Sequence, residues 1–353
     1  MQPFRSAFAC PECGAVDLKA AADLTPLAAP FDVSVGLRCE RCAREFPTVD
    51  GVQVLWTDQL KALQLAAPSE SADLAERVMR ANIEIYDDVA DDHGEHTDHL
   101  FNYHDTLLFL KAFAVEHQLP AGAGRPRVVV DVGCGAGVGL DAGANFYEIK
   151  VGVDISLSNL RHVARKGYVA VLGDSSRLPF APGTVDLVTC FAALHHFPSP
   201  ESFAKTSFES LRAGGVLLTG CDPSRALMSF SPLAQMVWDT RKPVYRALSR
   251  FSKRFYLHSD SEVQERNDLA EYQRTEGGFT PEELGGALRD AGFDDVNVFY
   301  GLDPGGHKKV AVPSWKIFLL KALSLQNPVR PSNWMSLSSV ARKGTSAGGS
   351  IEA

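Results

Sequence analysis

The stretch VVVDVGCGAGVG, residues 128–139, runs from β-branched valines into a turn with four glycines. Valines favour a buried strand, and glycine gives a turn backbone conformations that a Cβ forbids. Such a turn can hold a dinucleotide, a nucleoside triphosphate or an adenosyl cofactor. The Lys-Ser/Thr pair of a P-loop is missing, and Val138 stands where the dinucleotide fingerprint requires its third glycine. The pattern therefore disfavours a nucleoside triphosphate and a dinucleotide, and the neighbouring segments must decide what the turn holds.

Strand-like and helix-like segments alternate after residue 126. The apolar runs are RVVVDVG, YEIKVGVDIS, YVAVLGD, TVDLVTCFA and GGVLLTGCD. Runs of this length between helical stretches predict βα units of a buried parallel sheet. The pattern pauses after Cys221 and resumes near residue 277, where Thr280 and Pro281 start a helix that Gly292 ends. A last strand-like run is NWMSLSSVARK, residues 333–343.

Acidic residues follow the next two strands. VGVDIS places Asp154 twenty-three residues after Asp131, and LGDSSRLPF places Asp174 at the end of the third run. With the glycine turn and the segments FAPGTVDLVTCFAALHHF and SFESLRAGGVLLTG, this order resembles the class I S-adenosylmethionine-dependent methyltransferases. The resemblance covers roughly residues 126–221 and 277–343.

The resemblance implies an α/β fold with a Rossmann-like, seven-stranded sheet and S-adenosylmethionine as the cofactor. In the family, the position of Asp131 anchors the cofactor's ammonium group and that of Asp174 receives the adenine amino group. Asp154 can accept both ribose hydroxyls. The expected cofactor-binding residues are Asp131, Gly133, Gly135, Gly137, Asp154, Ile155, Asp174, Ser175 and Phe191.

Two histidines follow the fourth strand, beside the expected methyl position. Methyl transfer from a sulfonium is an in-line displacement, so positioning supplies much of the catalysis and a base serves only a protonated acceptor. His196 is the first candidate for that base and His195 the second. The alternative is that the pair only holds its loop.

Two Cys-x-x-Cys pairs lie near the start of the chain. Cys10 and Cys13 precede Cys39 and Cys42 by 25 intervening residues, a pattern that predicts a structural Zn²⁺ site with four thiolates. The following REFPTVDGVQVL (44–55) resembles the end of a zinc-ribbon family that includes the activator subunit of certain methyltransferases. Five Lys/Arg against seven Asp/Glu in residues 1–56 favour a brace over an RNA-binding module.

Four segments are expected. They are a zinc ribbon (1–56), a helical linker and cofactor lid (57–125), a methyltransferase domain (126–343) with cap insertions at 222–276 and 301–333, and a disordered tail (344–353). His93, His96 and His99 suit either a second metal site or a solvated surface, and Tyr86 and Tyr103 are lid candidates. The basic run 241–254 suits an anionic substrate, a lipid headgroup, RNA or plain solvation.

Composition narrows the function. A net charge of −8 over 353 residues argues against general binding to a phosphate backbone. The start has no apolar signal core and there is no run of 18 apolar residues, so we expect a cytoplasmic protein without a transmembrane segment. We predict methylation of a small or medium-sized metabolite at oxygen, nitrogen or carbon. The alternatives are rRNA or tRNA methylation, or a non-catalytic scaffold that binds S-adenosylmethionine.

Overall fold

A computed structural model of the chain describes residues 7–16, 18–22, 31–65, 72–88, 90, 126–142, 147–240, 243, 247, 261–301, 315–333 and 335–345. Its strands are β1 (Lys19–Ala20), β2 (Leu37–Arg38), β3 (Glu45–Phe46), β4 (Thr48–Val49), β5 (Val52–Val54), β6 (Val128–Val132), β7 (Ile149–Asp154), β8 (Val169–Leu172), β9 (Val185–Phe191), β10 (Leu211–Asp222), β11 (Asp295–Tyr300) and β12 (Leu337–Arg342). Strands β1, β2 and β3 form a small sheet, and the other nine form the main sheet.

The main sheet has the order β11-β12-β10-β9-β6-β7-β8-β5-β4. Strands β6 to β10 pair in parallel, and β12 joins them antiparallel between β10 and β11. The central strand β6 is buried along its whole length, which explains its uninterrupted apolar character. The predicted βα units are confirmed, and the carboxyl ends of β6 to β9 meet at one edge.

The sheet has two more strands than the seven that we predicted. β5 lies parallel to β8, with Val52 opposite Ala170 and Val54 opposite Leu172, and β4 pairs antiparallel with β5. Both strands come from the segment expected to belong only to the ribbon. The physical reason is that the exposed edge of β8 needs partners for its backbone groups, and the buried valines of β5 supply them while extending the core.

The helices among the described residues are α1 (Asp58–Leu65), α2 (Leu74–Asp88), α3 (Val138–Ala142), α4 (Leu157–Arg165), α5 (Pro200–Ser210), α6 (Arg225–Met228), α7 (Pro232–Asp239), α8 (Ser261–Ala270), α9 (Tyr272–Thr275), α10 (Pro281–Asp290) and α11 (Trp315–Leu323). α10 begins with the capping box of Thr280 and Glu283, as its sequence predicts. None of these helices is both long and apolar enough to cross a bilayer.

The N-terminal segment also contacts the loop that follows β8. The amide of Ala9 donates to the carbonyl of Pro179 at 3.0 Å, and that of Ala181 donates to Ala7 at 2.8 Å. The rings of Phe8, Phe31 and Phe180 pack together with centroids 5.5–6.3 Å apart. The cysteine-bearing segment is therefore fixed against the loop that carries Asp174.

Helices α1 and α2 lie beside the carboxyl edge of the sheet. Leu60 and Leu63 of α1 form a buried cluster with Met79 and Ile83 of α2. At the end of α2, Asp87 accepts a hydrogen bond of 2.6 Å from the hydroxyl of Ser156, the N-cap of α4. These two helices lie in the segment predicted as a helical linker and cofactor lid, and the bounds of that segment and its role as a lid stay predictions. The histidines at 93, 96 and 99 and Tyr103 lie outside the described residues.

Candidate functional site

The glycine turn after β6 has the backbone that its sequence predicts. Gly133, Gly135 and Gly137 have φ of 68°, 50° and 82°, a region that side chains other than glycine rarely occupy. A Cβ on Gly133 would lie 2.5 Å from the Cβ of Ala193. A Cβ on Gly135 would meet nothing within 4 Å. The first glycine is therefore required for packing, and the second leaves open space above the backbone.

Asp154 lies at the end of β7 next to that space. Its carboxylate accepts hydrogen bonds of 2.9 Å from the backbone amides of Gly135 and Ser156. Burial raises the pKa of Asp154, and these amides oppose the rise. Asp174, after β8, is also buried and accepts from the amide of Ser176 at 2.8 Å and from its hydroxyl at 2.7 Å. Both carboxylates are held in place by the protein, as a preorganised binding site requires.

Asp131 lies beneath the turn and is 4% exposed. Its Oδ1 accepts a hydrogen bond of 2.6 Å from the hydroxyl of Thr189. Burial raises the pKa of Asp131 to about 7, although that hydroxyl favours the charged form. A cation near this buried carboxyl group would stabilise its ionised form. The open space at Gly135 and the carboxylates of Asp131 and Asp154 therefore fit a cofactor with a diol and an ammonium group.

The remaining cofactor candidates lie at the same edge of the sheet. Ile155 is half-buried against the α1–α2 cluster, and its carbonyl accepts from Gln64 of α1 at 2.7 Å. The carbonyl of Ser175 accepts from the hydroxyl of Thr206 at 3.2 Å. Phe191 is the last residue of β9. Its ring packs closely against Gly220, where an added Cβ would lie 2.9 Å from the ring carbons of Phe191. The fold brings these residues to one edge, and their contacts with a cofactor stay a prediction.

His195 belongs to a buried polar cluster in the 3₁₀ turn after β9, Leu194–His196. Its Nδ1 lies 2.9 Å from Oδ1 of Asp222, the last residue of β10, and its Nε2 lies 3.5 Å from Oε2 of Glu271. Burial raises the pKa of Asp222, and its hydrogen bonds with His195 oppose this. Because the carboxylate of Asp222 accepts from Nδ1, the other ring nitrogen of His195, Nε2, is the one that faces Glu271.

His196 uses both ring nitrogens in the protein. Its Nδ1 donates to the carbonyl of Ala270 at 2.7 Å, and its Nε2 accepts from the hydroxyl of Tyr86 at 2.9 Å. Burial raises the pKa of Tyr86, so the phenol keeps its proton. Burial lowers the pKa of His196 to about 3, with the neighbouring His195 adding to the effect. The first candidate base is thus a weak base with both nitrogens occupied.

The sequence analysis missed three members of this cluster. Asp222 is the last residue of β10, and its place at the end of the apolar run GGVLLTGCD could have marked it as a candidate site residue. No motif in the sequence marked Glu271 or Arg274. Burial opposes ionisation of Glu271, yet the positive charge of Arg274 helps to hold its pKa below the usual value. Arg274 donates to Glu271 at 3.0 Å.

The four paired cysteines form a second cluster, away from the histidines. Sγ of Cys10 and Cys42 are 3.6 Å apart, as are those of Cys13 and Cys39, and all four lie within 4.8 Å of one another as free thiols. A tetrahedral zinc with Zn–S bonds of about 2.3 Å has edges of about 3.8 Å. His195, His196 and Glu271 also lie within 4.8 Å of one another, but Tyr86, Asp222 and Arg274 already pair with them.

Comparison with known proteins agrees with this site. Residues 130–219 match the family model described as a methyltransferase domain. The ubiquinone biosynthesis O-methyltransferase of Psychrobacter arcticus is 31% identical over 29% of this chain and 44% of that protein. A probable S-adenosylmethionine-dependent methyltransferase of Mycolicibacterium smegmatis is 34% identical over 30% of this chain and 41% of that protein. The 18S rRNA (guanine-N(7))-methyltransferase of Schizosaccharomyces pombe is 26% identical over 37% of this chain and 56% of that protein.

Residues 130–219 thus match a methyltransferase domain, and the relatives that match part of the chain are themselves named as methyltransferases. The domain model covers strands β6 to β10 in large part and includes the glycine turn, Asp154, Asp174 and both histidines. The chain spans less than half of the length of the first two relatives. One matched relative is named for ubiquinone biosynthesis and another for 18S rRNA, so the comparisons leave the methyl acceptor of this chain open.

Proposed function

We propose that this protein transfers the methyl group of S-adenosylmethionine to a small or medium-sized metabolite. The observation that carries the proposal is that the fixed carboxylate of Asp154 and the Asp222–His195 pair stand at the same carboxyl edge of the sheet, one beside the glycine turn and one after β9. The first arrangement suits an adenosyl cofactor, and the second suits a proton acceptor. Ligands of open α/β sheets bind at this edge.

S-adenosylmethionine supplies an activated methyl carbon when it is bound. The protein's own part is to hold the cofactor with Asp154 and Asp174 and to place an acceptor in line with that carbon. The acceptor would take the methyl group from bound S-adenosylmethionine, whose sulfur would be the leaving group, and a protonated acceptor would lose a proton in this transfer. His195 Nε2 takes that proton, and Asp222 stabilises the imidazolium that results. Glu271 faces the same nitrogen and adds to this stabilisation.

His196 and Tyr86 act as positioning residues in this scheme. Their hydrogen bond joins α2 to the turn after β9, and Asn82 of α2 also donates to the carbonyls of His196 at 3.4 Å and Ala270 at 3.2 Å. α2 and α8 thereby hold the histidine turn from two sides. This role replaces His196 with His195 as the favoured base.

The acidic net charge and the buried character of the cluster support a metabolite rather than RNA. The two carboxylates of Asp222 and Glu271 face one another across His195, which disfavours a phosphate-rich acceptor at that point. RNA methylation is the second candidate because one relative is an rRNA methyltransferase. A non-catalytic scaffold is the third.

We also propose that Cys10, Cys13, Cys39 and Cys42 hold a structural Zn²⁺ that braces the cofactor site. Four thiolates leave no coordination position for a substrate. Arg177, three residues after Asp174, donates to the carbonyl of Pro11 at 3.1 Å, which links the metal loop to the adenine-binding loop. Removing zinc with a chelator should lower both the melting temperature and the affinity for S-adenosylmethionine, measured by calorimetry on the full chain. An unchanged affinity would contradict the brace.

The proposed function is tested by following a labelled methyl group. The purified full chain is incubated with methyl-labelled S-adenosylmethionine and an extract divided into RNA, protein, lipid and small-molecule fractions. We expect label in the small-molecule fraction, and transfer slower by on the order of 10²–10³ with the His195→Gln variant. Label in RNA would favour the second candidate. Tight cofactor binding without any transfer would favour the scaffold.

A further inference from the structure

Two helices of the cap insertions carry large apolar side chains on their outer surface. α7 and α11 pack against each other. The outward residues, which we term the apolar face, are Leu233, Met236, Trp315, Phe318, Leu319 and Leu325. Trp315 is 72% exposed, Met236 62% and Leu325 96%. Soluble proteins scatter single apolar residues over their surface, but a grouped set of this kind marks an interaction site.

The orientation of α11 is the reverse of that of an ordinary surface helix. Trp315, Phe318, Leu319 and Ala322 recur at helical spacing and form one exposed stripe. On the inner side, Lys321 is fully buried, and its Nζ donates to the carbonyls of Ala226, Leu227 and Ser229 at 2.6–2.9 Å. The helix thus buries its lysine and exposes its aromatic residues.

Further contacts fix this orientation. Nζ of Lys321 lies 4.3 Å from the ring centroid of Phe230, and the hydroxyl of Ser231 donates to the carbonyl of Leu323 at 3.0 Å. The amide of Ser231 donates to the hydroxyl of Ser324, also at 3.0 Å. Rotating α11 to bury its stripe would break all of these interactions and leave a lysine without its acceptors. The apolar face is therefore built into the packing of the cap.

The exposed charged side chains of α11 and of the loop after it, residues 315–333, are Lys316 and Arg330, and both are positive. Nζ of Lys316 lies 5.9 Å from the ring centroid of Trp315, and residues 304–351 contain no Asp or Glu. The sequence directly after α7, residues 241–254, has six Lys/Arg and no acid, in a chain whose net charge is −8. Asp239 at the end of α7 is the acidic group nearest in sequence, and it accepts hydrogen bonds from Gln235 at 3.2 Å. The exposed charge on α11 and the loop after it is therefore positive, and the sequence that follows α7 carries charge of the same sign.

We propose that the apolar face and its flanking cations dock on an anionic lipid bilayer. Aromatic and aliphatic side chains enter the boundary between headgroups and acyl chains, while Lys316 and Arg330 remain with the headgroups. A second copy of this chain is a poorer occupant, because it would bring like charges together. The docking places the cap at a membrane surface, independently of which acceptor is methylated.

Sedimentation with sucrose-loaded vesicles tests this docking on the zinc-loaded full chain. We expect binding to phosphatidylcholine vesicles that contain about one third phosphatidylserine, and at least about tenfold weaker binding to pure phosphatidylcholine. The Trp315→Ser/Phe318→Ser double variant should lose about tenfold or more in affinity for the anionic vesicles. The Lys316→Gln/Arg330→Gln double variant should also lose about tenfold, with a weaker salt dependence.

The matched control is Leu65→Ser, which removes an equally exposed leucine (70%) from the end of α1. It should bind the vesicles as the unchanged chain does, and melting temperatures show whether each variant is folded. Failure of the unchanged chain to bind anionic vesicles would overturn the proposal, as would equal losses in the control. A dimer in light scattering that the Trp315→Ser/Phe318→Ser variant dissociates, without vesicle binding, would assign the face to a second copy instead.

Discussion

The proposed cofactor end and the proposed acceptor end of the site are built in different ways. At the cofactor end, Gly133, Gly135 and Asp154 lie within about one βα unit, and their conformations follow from local backbone requirements. At the acceptor end, Tyr86, His195, Asp222 and Glu271 come from four elements far apart in the chain. The first is specified by local sequence and the second by the packing of the whole fold, so the two ends should respond differently to substitution.

The largest expected effect is on the chemical step at the acceptor end. His195→Gln should lower kcat by on the order of 10²–10³, because the base is lost, while the affinity for S-adenosylmethionine changes less than about twofold. The measurement is single-turnover label transfer together with calorimetry. His162→Gln, a partly exposed histidine of α4, is the control and should leave both quantities unchanged. Equal loss of cofactor affinity and turnover in His195→Gln would remove the distinction between the two ends.

The next effect concerns the cofactor end. Gly133→Ala combines a left-handed backbone with a Cβ only 2.5 Å from Ala193, so we expect a loss of about 3 kcal/mol of stability and about a hundredfold of cofactor affinity. Gly167→Ala is the matched control, since its φ is +79° and a Cβ there meets nothing within 4 Å. It should cost about 1 kcal/mol of strain and leave cofactor affinity unchanged. Similar cofactor affinities in the two variants would contradict the prediction that Gly133 is needed for cofactor binding.

The smallest effect is a pH dependence of stability from His196. Its pKa is about 3 in the folded protein and about 6.5 when unfolded, so below pH 6.5 the unfolded state binds more protons. The stability contributed by the neutral form is therefore present above pH 6.5 and is lost as the pH falls toward 3. Between pH 7 and 5 the unchanged chain should lose about 2 kcal/mol more than His196→Asn.

This pH effect is read from urea unfolding at several pH values. Glu271, His195, Arg274 and Tyr86 face His196 and remain in both proteins, so the difference isolates the imidazole. Parallel pH profiles for the two proteins would mean that His196 is not held neutral. A large loss of turnover at constant stability would return His196 to the role of base.

Much of the fold was predictable because its signals are local. The runs that became β6 to β10 alternate with helices, and Thr280, Pro281 and Gly292 mark the bounds of α10. The spacing of the cysteines predicted their clustering. The pairing of β5 with β8 was not predictable from the pattern, because a short valine-rich segment fits a ribbon hairpin and a sheet edge equally well. The sequence could not show that His196 is a poor base, because its burial and its hydrogen bonds depend on α2 and α8, which lie far from it in the chain.

The pairing of β5 with β8 also has a consequence for biosynthesis. Val52 leaves the ribosome roughly a hundred residues before Ala170, its partner in the sheet, which at about 5–20 residues per second is a delay on the order of ten seconds. During that time the apolar hairpin of the nascent chain has no completed sheet to join. The growing polypeptide must therefore keep its earliest segment from aggregating until the middle of the chain has been translated.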